Sequence, residues 1–340
     1  MNNNKILYID VMCSNGHVSF NKIYINKLIS SGYEVKLILK KKYVKKLNLP
    51  DSMILFELPY FLFYDFKGIG IMNRLMMLIS FIYINIRIST SKFRDIYIGG
   101  YEEISFYFSF FINKTILINH NNIGGLNNKL KKYFFIKNTK KHKVLVFNEK
   151  IKNYLIKLKV KNIIVKPHGL PEKFYTSEHG NMYDTFRKVI FIPSSNSSNL
   201  KFILELINNC SFLEYLKKNN YLLIIKGDFS TINPNLIVIN GYLDFEVYKK
   251  IFLKADIILL PYPISFKYRV SGVLHECLAN NKICLLSKIE SFEVYTPHFK
   301  YNPFFRNIIE LTERIDYLTN SNEFSSSYNY EDLEKLEPKF

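Results

Sequence analysis

Two short apolar runs, 257–260 and 283–286, bracket the stretch that most constrains what this chain can fold into. Pro261 stops the first run, Ser271-Gly272 makes a small-residue turn, and a helical pattern leads up to the second run. A strand joined to the next strand through a helix has to pair with it in parallel, since antiparallel neighbours need only a tight turn. The turn also has a chemical consequence. The first N–H groups of a helix lack partners within it and sit at the positive end of its dipole, so Ser271 and Gly272 open a place where an anion can approach the backbone. Glu276 lies about a turn and a half further on, within reach of hydroxyl groups beside such an anion.

The same alternation runs through the rest of the chain. Strand-like runs fall at 6–11, 35–39, 95–99, 116–119, 144–147 and 162–166, and again at 189–192, 221–225 and 236–239. Helical patterns lie between them: one ends at Gly32 as a C′ glycine, another covers 73–88, Asn148 caps 149–158, and Asp244 caps 245–254. Pro167-His168-Gly169-Leu170-Pro171 breaks both patterns. The reading is therefore α/β, with two Rossmann-like domains at 1–167 and 168–320 and a polar, loosely held tail at 321–340. A length of 340 residues suits two such domains better than one core.

The stretch Tyr268-Arg269-Val270-Ser271-Gly272 with Glu276 resembles the donor-sugar motif of the GT-B glycosyltransferases, in particular the retaining bacterial surface-polysaccharide (group 1) enzymes. That motif has a glutamate, a glycine turn and a second glutamate. Here Tyr268 occupies the first glutamate position, Ser271 the usual glycine position with Gly272 next to it, and Glu276 the second glutamate position. The resemblance implies a GT-B fold with parallel sheets facing an interdomain cleft. It also implies that Glu276 binds the nucleotide ribose, that Tyr268 lies by the donor sugar, and that Ser271 and Gly272 lie by the diphosphate. Lys201 matches a lysine that clamps the diphosphate, while Asn196 stands where the family has an arginine; Arg269 is a candidate to restore that charge, or an ordinary surface arginine. Tyr242 and Leu243 match the place where the base is read, with aromatic packing as the equal alternative for Tyr242. Gly16 matches a glycine of the first loop, and a plain turn there is as good a reading. His120, directly after a strand, matches a histidine facing the donor sugar and is the candidate catalytic residue; a satisfied loop histidine is the alternative.

By this resemblance the chain is a glycosyltransferase, of hexosyltransferase type, retaining and metal-independent. The leaving diphosphate would take the acceptor proton, and the nucleotide-diphosphate sugar is a substrate, with no cofactor. No Asp-x-Asp motif or carboxylate cluster at metal-ligand spacing contradicts this.

A net charge of +18 raises three classes of partner: nucleic acid, an anionic membrane surface, or phosphorylated substrates. The densest basic run, 129–143, interleaves Lys129, Lys131, Lys132, Lys137, Lys140, Lys141 and Lys143 with Tyr133, Phe134 and Phe135. It reads as a solvated face, a membrane interface or a single-strand site, and no nucleic-acid motif supports the last. A lipid-linked saccharide acceptor at the inner membrane face, in capsule or O-antigen assembly, fits this charge, with no nucleic-acid partner. The apolar segment 75–86, between Arg74 and Arg87, is too short to span a bilayer and reads as a buried or interfacial helix. Four separated cysteines and a polar start without a signal-peptide pattern fit reduced thiols in the cytoplasm. The competing readings are a GT-B-like nucleotide-sugar epimerase or hydrolase drawing on His17, His120 or His168, a silent GT-B scaffold, and a nucleic-acid binder. A dinucleotide dehydrogenase is disfavoured because the first loop lacks G-x-G-x-x-G.

Overall fold

The structure, a computed structural model, describes residues 4–13, 17–63, 70–88, 93–120, 122–175, 183–193, 200–230, 232–241, 243–320 and 328–340. The chain divides into two compact units. Unit 1 is Met1–Gly169 with Tyr268–Gly272 and Leu336–Phe340, and unit 2 is Leu170–Lys267 with Val273–Lys335.

Unit 1 runs β1 (Lys5–Asp10), α1 (Val18–Ser30), β2 (Glu34–Ile38), α2 (Lys41–Leu47), α3 (Gly70–Arg87), β3 (Asp95–Gly100), α4 (Glu103–Phe108), β4 (Ile116–Ile118), α5 (Lys129–Thr139), β5 (Lys143–Val146), α6 (Glu149–Lys157) and β6 (Ile163–Val165). Its sheet is parallel throughout, in the order β2-β1-β3-β4-β5-β6. Helices cover both faces, so strand residues are buried on either side: Ile6 and Tyr8 enter one core cluster, Leu7 and Ile9 another. This is why the strands read as unbroken apolar runs.

Unit 2 continues with β7 (Lys188–Ile192), α7 (Leu200–Ile207), α8 (Cys210–Asn219), β8 (Tyr221–Lys226), β9 (Leu236–Ile239), α9 (Phe245–Lys254), β10 (Ile257–Leu260), α10 (Gly272–Ala279), β11 (Ile283–Ser287), α11 (Glu290–Glu293), β12 (Phe304–Phe305), α12 (Ile308–Asn320) and α13 (Tyr330–Leu333). The order β12-β11-β10-β7-β8-β9 is again all parallel and has the Rossmann arrangement, with its switch point between β7 and β10. The two-sheet α/β architecture expected from the sequence is the one observed. The predicted caps form as well: Asn148 accepts from the Ile151 N–H at 2.9 Å, Asp244 from the Glu246 N–H at 2.8 Å, and Gly32 takes φ +85° after α1.

The end of the chain differs from the expected loose tail. Tyr328 is fully buried and packs on Phe299, and within unit 1 the Phe340 ring packs edge-on against Tyr24. The reason is aromatic burial, which a polar composition conceals. This return of the chain crowds Gly169, which adopts φ +85°; a Cβ there would press into Ile23 Cγ2 and lie 3.2 Å from Pro338 Cδ. Gly169→Ala is expected to destabilise unit 1 by about 2–4 kcal/mol, the sum of a left-handed alanine and an overpacked contact. Urea unfolding measures this, and a change below about 1 kcal/mol would mean that the neighbours yield freely.

All four cysteines are free. No helix among the described residues is long and apolar enough to cross a membrane.

Candidate functional site

Parallel strands present all their C-terminal ends at one edge of a sheet, and in unit 1 that edge gathers residues far apart in sequence. β1 ends in Asp10, with His17 at the start of α1; His120 follows β4, Phe147 follows β5 and His168 follows β6. The three histidines and Phe147, with Ser19, Phe20, Val270 and Gly272, line a pocket of about 90 Å³, and Asp10 lies behind His17. The His17 and His120 rings stack at 4.4 Å, and Phe20 meets His120 edge-on at 4.1 Å and His168 at 4.9 Å.

Asp10 is the electrostatic anchor of this pocket. It is completely buried at the end of β1, where it still pairs with Gly100 of β3. Its Oδ1 accepts from the N–H groups of Met12 and Cys13, each at 3.0 Å, and its Oδ2 accepts from Asn21 Nδ2 at 2.8 Å. His17 Nδ1 lies 3.6 Å from Oδ2. Burial alone would raise the carboxyl's pKa, but His17, Asn21 and the Cys13 N–H outweigh it and hold the pKa below its usual value. Asn21 also takes a 2.6 Å hydrogen bond from Tyr8 Oη, so the network continues into the core. Gly100 leaves room for it, because a Cβ there would stand 2.5 Å from Asp10 Oδ1.

The other two histidines are kept neutral. Desolvation pushes the His120 pKa far down, with His17 and His168 adding to the effect; burial likewise brings His168 to about 4. His120 Nε2 is shielded from solvent and has no hydrogen-bond partner among the described residues. Among the described residues no three His, Cys, Asp or Glu side chains are grouped as metal ligands.

The stretch 268–276 is divided by its packing. Val270 packs into the core cluster of unit 1, Tyr268 stacks on Tyr154 at 4.1 Å, and the Arg269 guanidinium lies by Gly124, its Nε 3.2 Å from where a Cβ would be. Ser271 is buried and Gly272, exposed, opens α10. One turn on, Glu276 accepts a hydrogen bond from Tyr248 Oη. Burial raises its pKa to about 7 even though the tyrosine bond works the other way. Lys201 is exposed in the first turn of α7, after β7, and so follows the other strand of the unit 2 switch point.

The structure therefore brings His120 and Gly272 together at one pocket and puts Glu276 one helical turn from Gly272. Tyr268 turns instead to an aromatic partner. Gly16, Asn196 and Tyr242 lie outside the described residues. Sequence reasoning had His17 among its candidate acid/base groups but missed Asp10; the signal was a lone acidic residue closing the first apolar strand.

No protein-family model matches the chain, and no curated protein does. Solved structures do. Anabaena HepE in complex with UDP and glucose is similar at a TM-score of 0.66 and 11% identity, over 98% of this chain and 93% of that one. Sucrose-phosphate synthase from Thermosynechococcus elongatus gives 0.60 at 10% identity, over 98% and 94%. UDP-GlcNAc 2-epimerase from Methanocaldococcus jannaschii gives 0.59 at 13% identity, over 96% and 94%. At these identities the likeness shows the fold: the chain has the GT-B architecture.

Proposed function

We propose that the chain is a glycosyltransferase that moves a sugar from a nucleoside-diphosphate donor to a saccharide acceptor. The observation that carries this reading is α10, which follows a strand of the unit 2 switch point, opens on Ser271 and Gly272, and carries the carboxylate of Glu276 one turn later. Ligands of open α/β sheets bind at such points, and a helix N-terminus favours a diphosphate. Glu276 accepts the ribose hydroxyls, its geometry fixed by Tyr248. Lys201 and the helix N-terminus stabilise charge as the diphosphate leaves, so no metal is required. Tyr242 is the candidate for the base, Arg269 for the diphosphate, and Gly16 and Tyr268 for the donor sugar. Retention of the anomeric configuration is expected, with the departing diphosphate receiving the acceptor proton. The polar walls of the unit 1 pocket suit sugar hydroxyls: His120 offers an uncharged acceptor, and the His17 ring stacks beside it. The acceptor we propose is a lipid-linked saccharide at an anionic membrane surface, used in surface-polysaccharide assembly.

The experiment is a thermal-shift panel of UDP, GDP, ADP and CMP with their sugar conjugates, in the presence and absence of EDTA. One nucleotide should stabilise the protein, and EDTA should not change the shift. At a ligand concentration of 100 times Kd the stabilisation is about 2.7 kcal/mol. No shift with any nucleotide would overturn the reading in favour of a silent scaffold. A second reading, nucleotide-sugar epimerisation, has the histidine-rich pocket in its favour. It predicts an epimerised nucleotide sugar when no acceptor is present, whereas transfer predicts unchanged donor.

A further inference from the structure

The charge of this protein is confined to one half. Unit 1 holds 30 Lys and Arg against 10 Asp and Glu, a net of +20, whereas unit 2 holds 17 against 19, a net of −2. Within unit 1, residues 66–94 and 104–148 contain no acidic side chain at all. These segments carry a group of exposed apolar side chains.

On α3, Phe81 and Ile84 are buried, while Ile71, Leu75, Ile79, Ile82 and Ile86 are all exposed, Ile71 at 75% and Ile86 at 79%. Their spacing of four, four, three and four residues puts them in one stripe along the helix. The loop after α4 extends that stripe. Asn85 donates to the Phe110 carbonyl at 3.3 Å and accepts from the Ile112 N–H at 2.9 Å, which fixes the loop beside the last turns of α3. Phe110 and Ile112 are nonetheless 73% and 67% exposed, and Phe110 takes φ +47°, a conformation that is costly for a bulky side chain. Exposed Arg87, Lys114 and Lys141 stand around this end, with Lys141 Nζ donating to the Phe111 carbonyl.

We propose that the α3 stripe with Phe110 and Ile112 is the face by which unit 1 docks on an anionic lipid bilayer. An apolar helix face ringed by cations lies in the headgroup region with its side chains among the acyl chains, while the cations meet the negative lipid. A second copy of the chain is the poorer occupant, because its own cationic surround would repel it. The inference rests on the acceptor part of the proposed function and is independent of the donor part. It also moves the membrane contact from the 129–143 lysines, where the sequence suggested it, to α3 and its neighbouring loop, with those lysines as flanking charge.

The test is flotation of the full chain with phosphatidylcholine vesicles, with and without phosphatidylglycerol, for wild type, the pair Ile82→Glu and Ile86→Glu, and the pair Phe110→Ser and Ile112→Ser. Wild type should float with the anionic vesicles, and each pair should lower partitioning at least about tenfold at low salt. Circular dichroism and the nucleotide thermal shift should be unchanged in both pairs, since all four positions are exposed and distant in sequence from the donor motif. Failure of wild type to bind anionic vesicles, equal binding to neutral ones, or full binding by both pairs would overturn the proposal. So would a wild-type dimer, seen by light scattering, that the same substitutions dissociate. A lost nucleotide shift in wild type would count against the donor reading only.

Discussion

Glu276→Ala is expected to weaken nucleotide binding a hundredfold or more. Hydrogen bonds from ribose hydroxyls to a charged, partly buried carboxylate are each worth about 1.5–3 kcal/mol, and truncation removes both the acceptor and the group that Tyr248 braces. At about 1.4 kcal/mol per decade, two such bonds correspond to at least two decades in Kd, readable by calorimetry or as a lost thermal shift. The pH dependence sharpens the prediction. Glu276 titrates near 7 in the folded protein against an ordinary value of 4.5. Between those values the folded state holds the extra proton, so the contribution to stability is fully present below pH 4.5 and disappears as pH rises through 7, on the order of 3 kcal/mol. Ribose binding needs the ionised form, so donor affinity should move the opposite way and rise through pH 7. Glu276→Gln should flatten both curves. Nucleotide affinity in Glu276→Ala within threefold of wild type would remove Glu276 from the donor site, and a stability profile unchanged in Glu276→Gln would remove the titration.

Asp10→Ala is expected to destabilise unit 1 by about 3–5 kcal/mol, because two backbone N–H groups and the Asn21 amide would lose their buried acceptor. Asp10→Asn keeps the volume and two of the acceptor contacts but turns an N–H₂ group toward Asn21 or His17, so a smaller loss, about 2 kcal/mol, is expected. The substitution also removes the charge 3.6 Å from His17. Urea unfolding of Asp10→Ala that differs from wild type by less than about 1 kcal/mol would show that water or rearrangement satisfies the orphaned groups.

Much of the fold could be read because parallel strands covered on both faces leave short uninterrupted apolar runs, and each run read as a strand became one. Short or mixed elements could not. The two-residue β12 and the aromatic segment that becomes α4 lack a periodicity long enough to register. α5 was visible only as a basic run, because its buried Phe134 and Phe135 are hidden among lysines. α3 reads as a buried or interfacial helix, yet the choice between those two depends on what covers each face, and that is set by neighbours such as the 109–113 loop, which Asn85 holds.

The site divides along the same line. Glu276, Ser271 and Gly272 were legible because a helix start and the residue one turn later are local geometry, determined by the backbone alone. The cluster of Asp10, His17, His120 and His168 was not, since these residues span most of unit 1 and meet only because the sheet aligns the ends of β1, β4 and β6. The parallel α/β architecture, the helix start at Gly272 and the excess of positive charge all follow from the chain alone. Long-range packing is what sets Asp10 behind His17, stacks Tyr268 on Tyr154 and leaves five aliphatic side chains of α3 facing outward. Local propensity acts over a few residues of chain, whereas burial and charge pairing depend on which surfaces long-range packing brings together.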